Sequence, residues 1–130
     1  MAFVDTNVLL RWILQDDPIQ CQRAEEIIDR AAPDTLVITD IVASEVSYIL
    51  RLQRVERSVV ADSLWSLRQI AALRYENNAT MRVTLRYYTE TNLDFADCYL
   101  LARSLREGQG LETLDMPLQK IYKRELAKRT

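Results

Sequence analysis

Ala2-Phe3-Val4-Asp5-Thr6-Asn7-Val8-Leu9-Leu10 opens the chain, and the change of character at Asp5 decides how the rest is read. Ala2 to Val4 are apolar and suit a short strand. From Val8 to Leu14 the apolar residues fall at 9, 10, 13 and 14, which is the period of a helix rather than the alternation of a strand. Asp5 therefore sits on a strand-to-helix turn. In open α/β sheets ligands bind in the crevice outside the carboxyl ends of the strands, so a short acid at this position points toward the usual place for chemistry. Asp, Thr and Asn are also the residues that cap helices and fill turns, and taken alone the trio reads first as a cap.

Outward from this turn the pattern repeats. Asp17 followed by Pro18, with Gln20 three residues beyond the acid, predicts a capped helix start, and Cys21, Ala24, Ile27, Ile28 and Ala31 continue it at helical spacing. Pro33-Asp34 breaks that helix, and Leu36-Val37-Ile38 predicts a second, buried parallel strand. Thr39-Asp40 caps the next helix, whose inner stripe is Val42, Val46, Ile49 and Leu50, with Glu45 in its second turn near the edge of that stripe. Ser58 is the expected cap of a further helix; its apolar surplus, Val59 and Trp65, reads either as a contact face for a second subunit or as ordinary core. Ala71 to Tyr75 predicts a third strand, and Met81, Leu85 and Tyr88 trace a helix to about Glu90. Asp94 and Asp97 open a helix that Gly108 is placed to end. Leu111 to Leu114 predicts a last strand ending on Asp115, and Pro117 begins a basic final helix. Strands alternating with helices define an α/β class: one three-layer α/β/α domain over residues 1–130, with a central parallel sheet of four to five strands.

Composition narrows the chemistry. The 130 residues are 48% apolar and 28% charged, enough for one core, without the roughly 18-residue apolar run of a membrane span. No export signal is expected, and Cys21 and Cys98, both inside helical patterns, read as small buried hydrophobes of a cytoplasmic protein. Histidine is absent, which excludes a Ser-His-Asp triad, a His-paired cysteine, paired-histidine RNA cleavage and most zinc hydrolase sites. Both glycines lie at 108 and 110, so no glycine-rich phosphate loop exists elsewhere. The net charge of −2 hides an asymmetry: residues 1–50 hold nine acids against three bases, residues 51–130 ten acids against fourteen bases. A basic part beside an acidic one is compatible with a nucleic-acid partner, although solvated helix faces are the usual home of such charges.

Catalysis in such a chain must use carboxylates, hydroxyls or a bound metal. Asp5 and Asp115 each end an expected strand, Glu45 follows one by less than two helical turns, and Asp97 lies in the first turn of a helix, so all four can share one edge of the sheet. Carboxylates facing one another repel, and divalent cations relieve this. Mg²⁺ and Mn²⁺ prefer carboxylate and water oxygens and serve phosphodiester hydrolysis without histidine. Singly, each acid reads as a cap or a solvated side chain; their joint placement raises the metal-site reading.

Val-Asp-Thr-Asn at 4–7, Ser-Glu-Val at 44–46, Asp-Phe-Ala-Asp at 94–97 followed by Leu100-Leu101-Ala102, and Thr-Leu-Asp at 113–115 together resemble the PIN-domain proteins of the bacterial and archaeal VapC toxin type. The motifs span the chain and are specific through their order rather than singly. The resemblance implies an Mg²⁺- or Mn²⁺-dependent endoribonuclease, toxic in cells and held in check by a cognate antitoxin protein; a homodimer is expected from the apolar surplus at Val59 and Trp65. It implies Asp5, Glu45, Asp97 and Asp115 as the acidic quartet, Asn7 and Thr113 as supporting polar positions that hydrogen-bond those carboxylates, with Thr6 beside them, and Asp94 as a cap or outer group. The implied reaction is attack of an activated water on phosphorus, leaving 5′-phosphate and 3′-hydroxyl ends. Tyr99 after Cys98 departs from the smaller residues of many members, and either narrows the cleft or faces outward. The quartet is equally compatible with a DNA-directed or structure-specific nuclease, and an inactive PIN-like binding module is the remaining relative. A ribonuclease H type lacks its opening antiparallel hairpin here, and a phospho-receiver domain lacks its lysine, since none occurs before Lys120.

Overall fold

Leu36, Val37 and Ile38 form the middle strand of a three-stranded parallel sheet, and all three are buried. In the computed structural model, which describes residues 1–129, the order is β1 (Ala2–Phe3), β2 (Leu36–Ile38), β3 (Leu73–Tyr75). Ala2 stands opposite Leu36, and Leu36 opposite Leu73. The N–H of Val4 donates to the carbonyl of Val37 at 3.1 Å, carrying the pairing one residue past β1. β1 is an edge, and Phe3 is 78% exposed. The chain divides into two compact units, Met1–Asn78 and the part from Ala79 onward, and the whole sheet belongs to the first.

In that first unit each crossover is a pair of helices. α1 (Thr6–Leu14) and α2 (Pro18–Arg30) join β1 to β2; α3 (Asp40–Leu52), α4 (Arg57–Ser66) and a 3₁₀ turn at Leu67–Gln69 join β2 to β3. α1 packs on α2 and α3, and α3 on α4. α2 and α3 start where the sequence expects: Asp17 accepts from the N–H of Gln20 at 3.1 Å with Pro18 at the first helical position, and Thr39 Oγ1 accepts from Val42 at 3.2 Å. Leu9, Leu10, Val46, Leu50, Val60 and Leu64 are buried, each such side chain contributing about 1.5–3 kcal/mol over leaving it in water. Because the strands run parallel, their carboxyl ends lie along one edge, and α1, α3 and α5 all begin there.

The second unit is helical: α5 (Asn78–Glu90, starting at the boundary), α6 (Phe95–Glu107) and α7 (Met116–Ala127). Met81, Leu85, Tyr88, Phe95, Cys98, Leu101 and Leu118 are buried, with Tyr88 and Phe95 edge to face at 6.2 Å. Tyr87 ties α5 to α7 by donating its hydroxyl to Glu125 Oε1 at 3.0 Å, and Lys128 Nζ stands 2.7 Å from the other oxygen. Gly108 ends α6 at φ +65°, where a side chain would be strained, and its N–H donates to the carbonyl of Ser104.

Three expectations are corrected. The sheet has three strands among the described residues, not four to five, because residues 111–114 are not a strand. Leu114 is fully exposed, and Thr113 Oγ1 accepts from the N–H of Asp115 at 2.9 Å, a local turn that competes with extended pairing. α4 is flanked by Glu56 without a side-chain cap, rather than by Ser58. The third strand is shorter at its start than Ala71, since Ile70 to Ala72 form the turn out of the 3₁₀ segment. Both cysteines are buried and neither forms a disulfide, as expected.

Candidate active site

In the first unit Asp5 follows β1 and caps α1, its Oδ1 accepting from the N–H of Val8 at 3.1 Å. Thr6 is buried at the first helical position, and Asn7 is exposed. Glu45 is exposed on α3, less than two turns past the Thr39 cap. β1 and β2 are parallel neighbours, so the starts of α1 and α3 share the strand-end edge that the sequence points to. Capping uses one carboxylate oxygen; the other remains a hard donor.

The acids of the second unit share a cavity. Asp94 caps α6 through the N–H of Asp97 at 2.8 Å, and Asp115 caps α7 through the N–H of Leu118 at 2.9 Å. Asp94, Asp97 and Asp115 line one cavity of about 510 Å³ with Glu90, Pro117 and Arg124. Partial burial, then the like charges of Asp94 and Asp115, push the Asp97 carboxyl above the usual aspartate range. The amino ends of α6 and α7 oppose this, since each helix start favours negative charge by about 0.3–1 kcal/mol. Thr113 supports Asp115 through its backbone N–H, where a bond to the carboxylate was expected. Tyr99 does not line this cavity; it is half-buried and its hydroxyl accepts from Arg103 at 3.2 Å.

Arg124 and Glu90 were not singled out by the sequence reading. Arg124 puts a cation at the wall of the acidic cavity, where the sequence showed none nearby. Helical spacing would have found it: Pro117, Ile121 and Arg124 recur at one-face intervals from the Asp115 cap.

Asp97 and Asp115 offer hard oxygen donors under mutual repulsion, the electrostatic state that a small divalent cation relieves. Mg²⁺ commonly takes one or two carboxylates and keeps several waters, so this pair fits it. Among the described residues no ready-made group of three such ligands is present.

The parallel sheet with its helical crossovers defines an α/β protein, with acids after its strand ends and, in the second unit, a cavity lined by three aspartates. The chain belongs to the PIN domain family, whose profile matches residues 2–123, and so spans both units. PIN domains form a nuclease superfamily of three-layer α/β/α fold, generally using divalent metal ions on nucleic acid, and the parallel sheet with its crossover helices fits that class. No curated protein matches the chain in sequence. Among the described residues no helix is long and apolar enough to cross a membrane.

Proposed function

We propose that the protein is an Mg²⁺- or Mn²⁺-dependent endoribonuclease, with Asp5, Glu45, Asp97 and Asp115 as its catalytic acids within one PIN domain. The observation that carries this reading is Asp97, held half-buried in a cavity beside two like-charged carboxylates in a chain of a nuclease family. A bound divalent ion supplies neutralisation of the phosphodiester charge and a lowered pKa for water. Asp97 and Asp115 would hold it, with Asp5 and Glu45 as the further acids. Thr113 fixes the backbone from which Asp115 projects, Asp94 fixes the first turn of α6, and Asn7 and Thr6 support the turn that presents Asp5.

The fuller reading is a cytoplasmic toxin of a toxin–antitoxin pair, homodimeric and restrained by its antitoxin. It is supported by the order of the four motifs and by exposed apolar residues on α3 and α4, Ile41, Tyr48, Leu52 and Val59, which offer a face to a partner. The deciding experiment incubates purified protein with single-stranded RNA, and in parallel with DNA of the same sequence, in Mg²⁺ or Mn²⁺ and in EDTA. RNA alone is cut, EDTA stops it, and Asp97→Asn is inactive. Cleavage undiminished by that substitution overturns the assignment. Co-expression with the neighbouring upstream gene product should solubilise and inhibit the enzyme; a monomer whose neighbour neither binds nor inhibits removes the toxin role and leaves the nuclease.

A further inference from the structure

The second unit contains another cavity, of about 500 Å³, that the acidic site does not use. It is lined by Ala79, Arg82, Val83, Arg86 and Arg106, with no acid among them. Residues 79, 82, 83 and 86 form one face of α5, and Arg106 comes from the last turn of α6. All three arginines are exposed, and none forms an ion pair among the described residues, whereas Arg103, one turn from Arg106, pairs with Glu107. Arg106 suits the carboxyl end of its helix, but that argument does not reach Arg82 and Arg86 in mid-helix. Arg86 lies over the Tyr87 ring at 5.2 Å and Arg106 acts on Glu107, but neither contact puts an anion in the cavity, which three guanidiniums make favourable for one.

The position of this cavity relative to the acids gives the anion a class. Asp97 lies in the first turn of α6 and Arg106 in its last, nine residues apart, or about 14 Å at 1.5 Å per residue. That is the length of about four stacked nucleotides at 3.4 Å each along one strand. Guanidinium forks match phosphate oxygens in pairs of hydrogen bonds. We propose that Arg82, Arg86 and Arg106 form a phosphate seat for the nucleic-acid strand being cut, about four nucleotides from the bond at Asp97; the distance rests on the nuclease reading above, the seat itself on the cavity.

The test measures binding rather than turnover. An Asp97→Asn protein, and the same protein carrying Arg82→Gln, Arg86→Gln and Arg106→Gln, are titrated into a fluorescein-labelled single-stranded RNA of about sixteen nucleotides over a salt series. The arginines are exposed, so thermal melts of the two proteins should coincide. Loss of three phosphate contacts should weaken binding at least about tenfold at low salt and reduce the slope of log affinity against log salt by about 2. Equal affinity and equal slope for the long RNA overturn the seat while leaving cleavage by wild type untouched. Loss of poly-glutamate binding with RNA binding intact also overturns it, in favour of an acidic polypeptide. Arginine-dependent RNA binding by a wild-type protein that cuts nothing supports the seat and refutes the nuclease reading instead.

Discussion

Asp5 in the first unit and Asp115 in the second do the same local work: each caps a helix through one oxygen, at 3.1 and 2.9 Å. Their surroundings differ. Asp5 stands at a strand end, with the apolar Val4 before it and buried Thr6 after it. Asp115 shares a cavity with Asp94 and Asp97 and contributes to the raised proton affinity of Asp97. Local geometry therefore does not separate a structural cap from a chemically loaded one, because any aspartate before a helix finds the same N–H. What loads Asp97 is burial and the nearby charges of Asp94 and Asp115, which only tertiary structure brings together.

The sharpest way to break this comparison is an exchange of charge without loss of shape. Asn caps a helix about as well as Asp, so Asp5→Asn keeps the cap of α1, and Asp97 does not cap α6, so Asp97→Asn leaves the Asp94 cap in place; both leave the fold intact. Both should lower RNA cleavage about a thousandfold, close to 4 kcal/mol of barrier, measured as single-turnover rates in Mg²⁺. A large loss for Asp97→Asn beside full activity for Asp5→Asn would leave the first unit with caps only.

Next in size are the two cores. Ile38 in the middle strand and Leu101 on α6 are both fully buried, and each truncation to Ala should cost about 3 kcal/mol in urea unfolding. Caps come below them. Asp5→Ala and Asp115→Ala should each cost about 1 kcal/mol, and the corresponding Asn variants much less, by thermal melting. If Asp115→Ala costs nothing while Asp5→Ala costs the full amount, relief of repulsion in the cavity has offset the lost cap, and the contrast between the units is sharpened.

Which features were legible follows from the range of the interactions behind them. The turn at Asp5, the caps at Asp17, Thr39, Asp94 and Asp115 and the stop at Gly108 depend on residues within three or four positions, and the chain shows them directly. β2 was legible because a run of three apolar residues between turn signals has few other fates. The stretch 111–114 has the same look, yet Leu114 is wholly exposed: apolar residues mark a strand only where a neighbouring strand accepts them, and the Thr113 hydroxyl offered the backbone a nearer partner. Arg124 escaped notice because it lies nine residues from Asp115 in sequence, although helical periodicity returns it to the same cavity. The arginine cavity was half legible: Arg82 and Arg86 read as basic residues suited to nucleic acid, but no local pattern joins them to Arg106 on another helix.

The smallest expected effect is on stability against pH, and it tests whether Asp97 belongs with the loaded acids or with the caps. A carboxyl whose folded pKa exceeds its unfolded value binds its proton more tightly in the native state, so it opposes folding once ionised. For Asp97 stability therefore falls as pH rises from the unfolded value near 3.8 through the raised folded value, and the penalty is complete above it. Glu125, in the same unit, slopes the other way. Its hydrogen bond from Lys128 holds it below the usual glutamate value of 4.5, so its contribution is present above that value and is lost as pH falls through the folded one. In EDTA at neutral pH, Asp97→Asn should melt at the wild-type temperature or slightly above, and Glu125→Gln below it. Both differences should close on acidification. Mg²⁺ should raise the wild-type melting temperature by binding the native state and leave Asp97→Asn nearly unmoved. A clear loss of stability for Asp97→Asn at neutral pH, with no gain from Mg²⁺ in wild type, would make Asp97 a structural residue and remove the electrostatic load that sets its cavity apart.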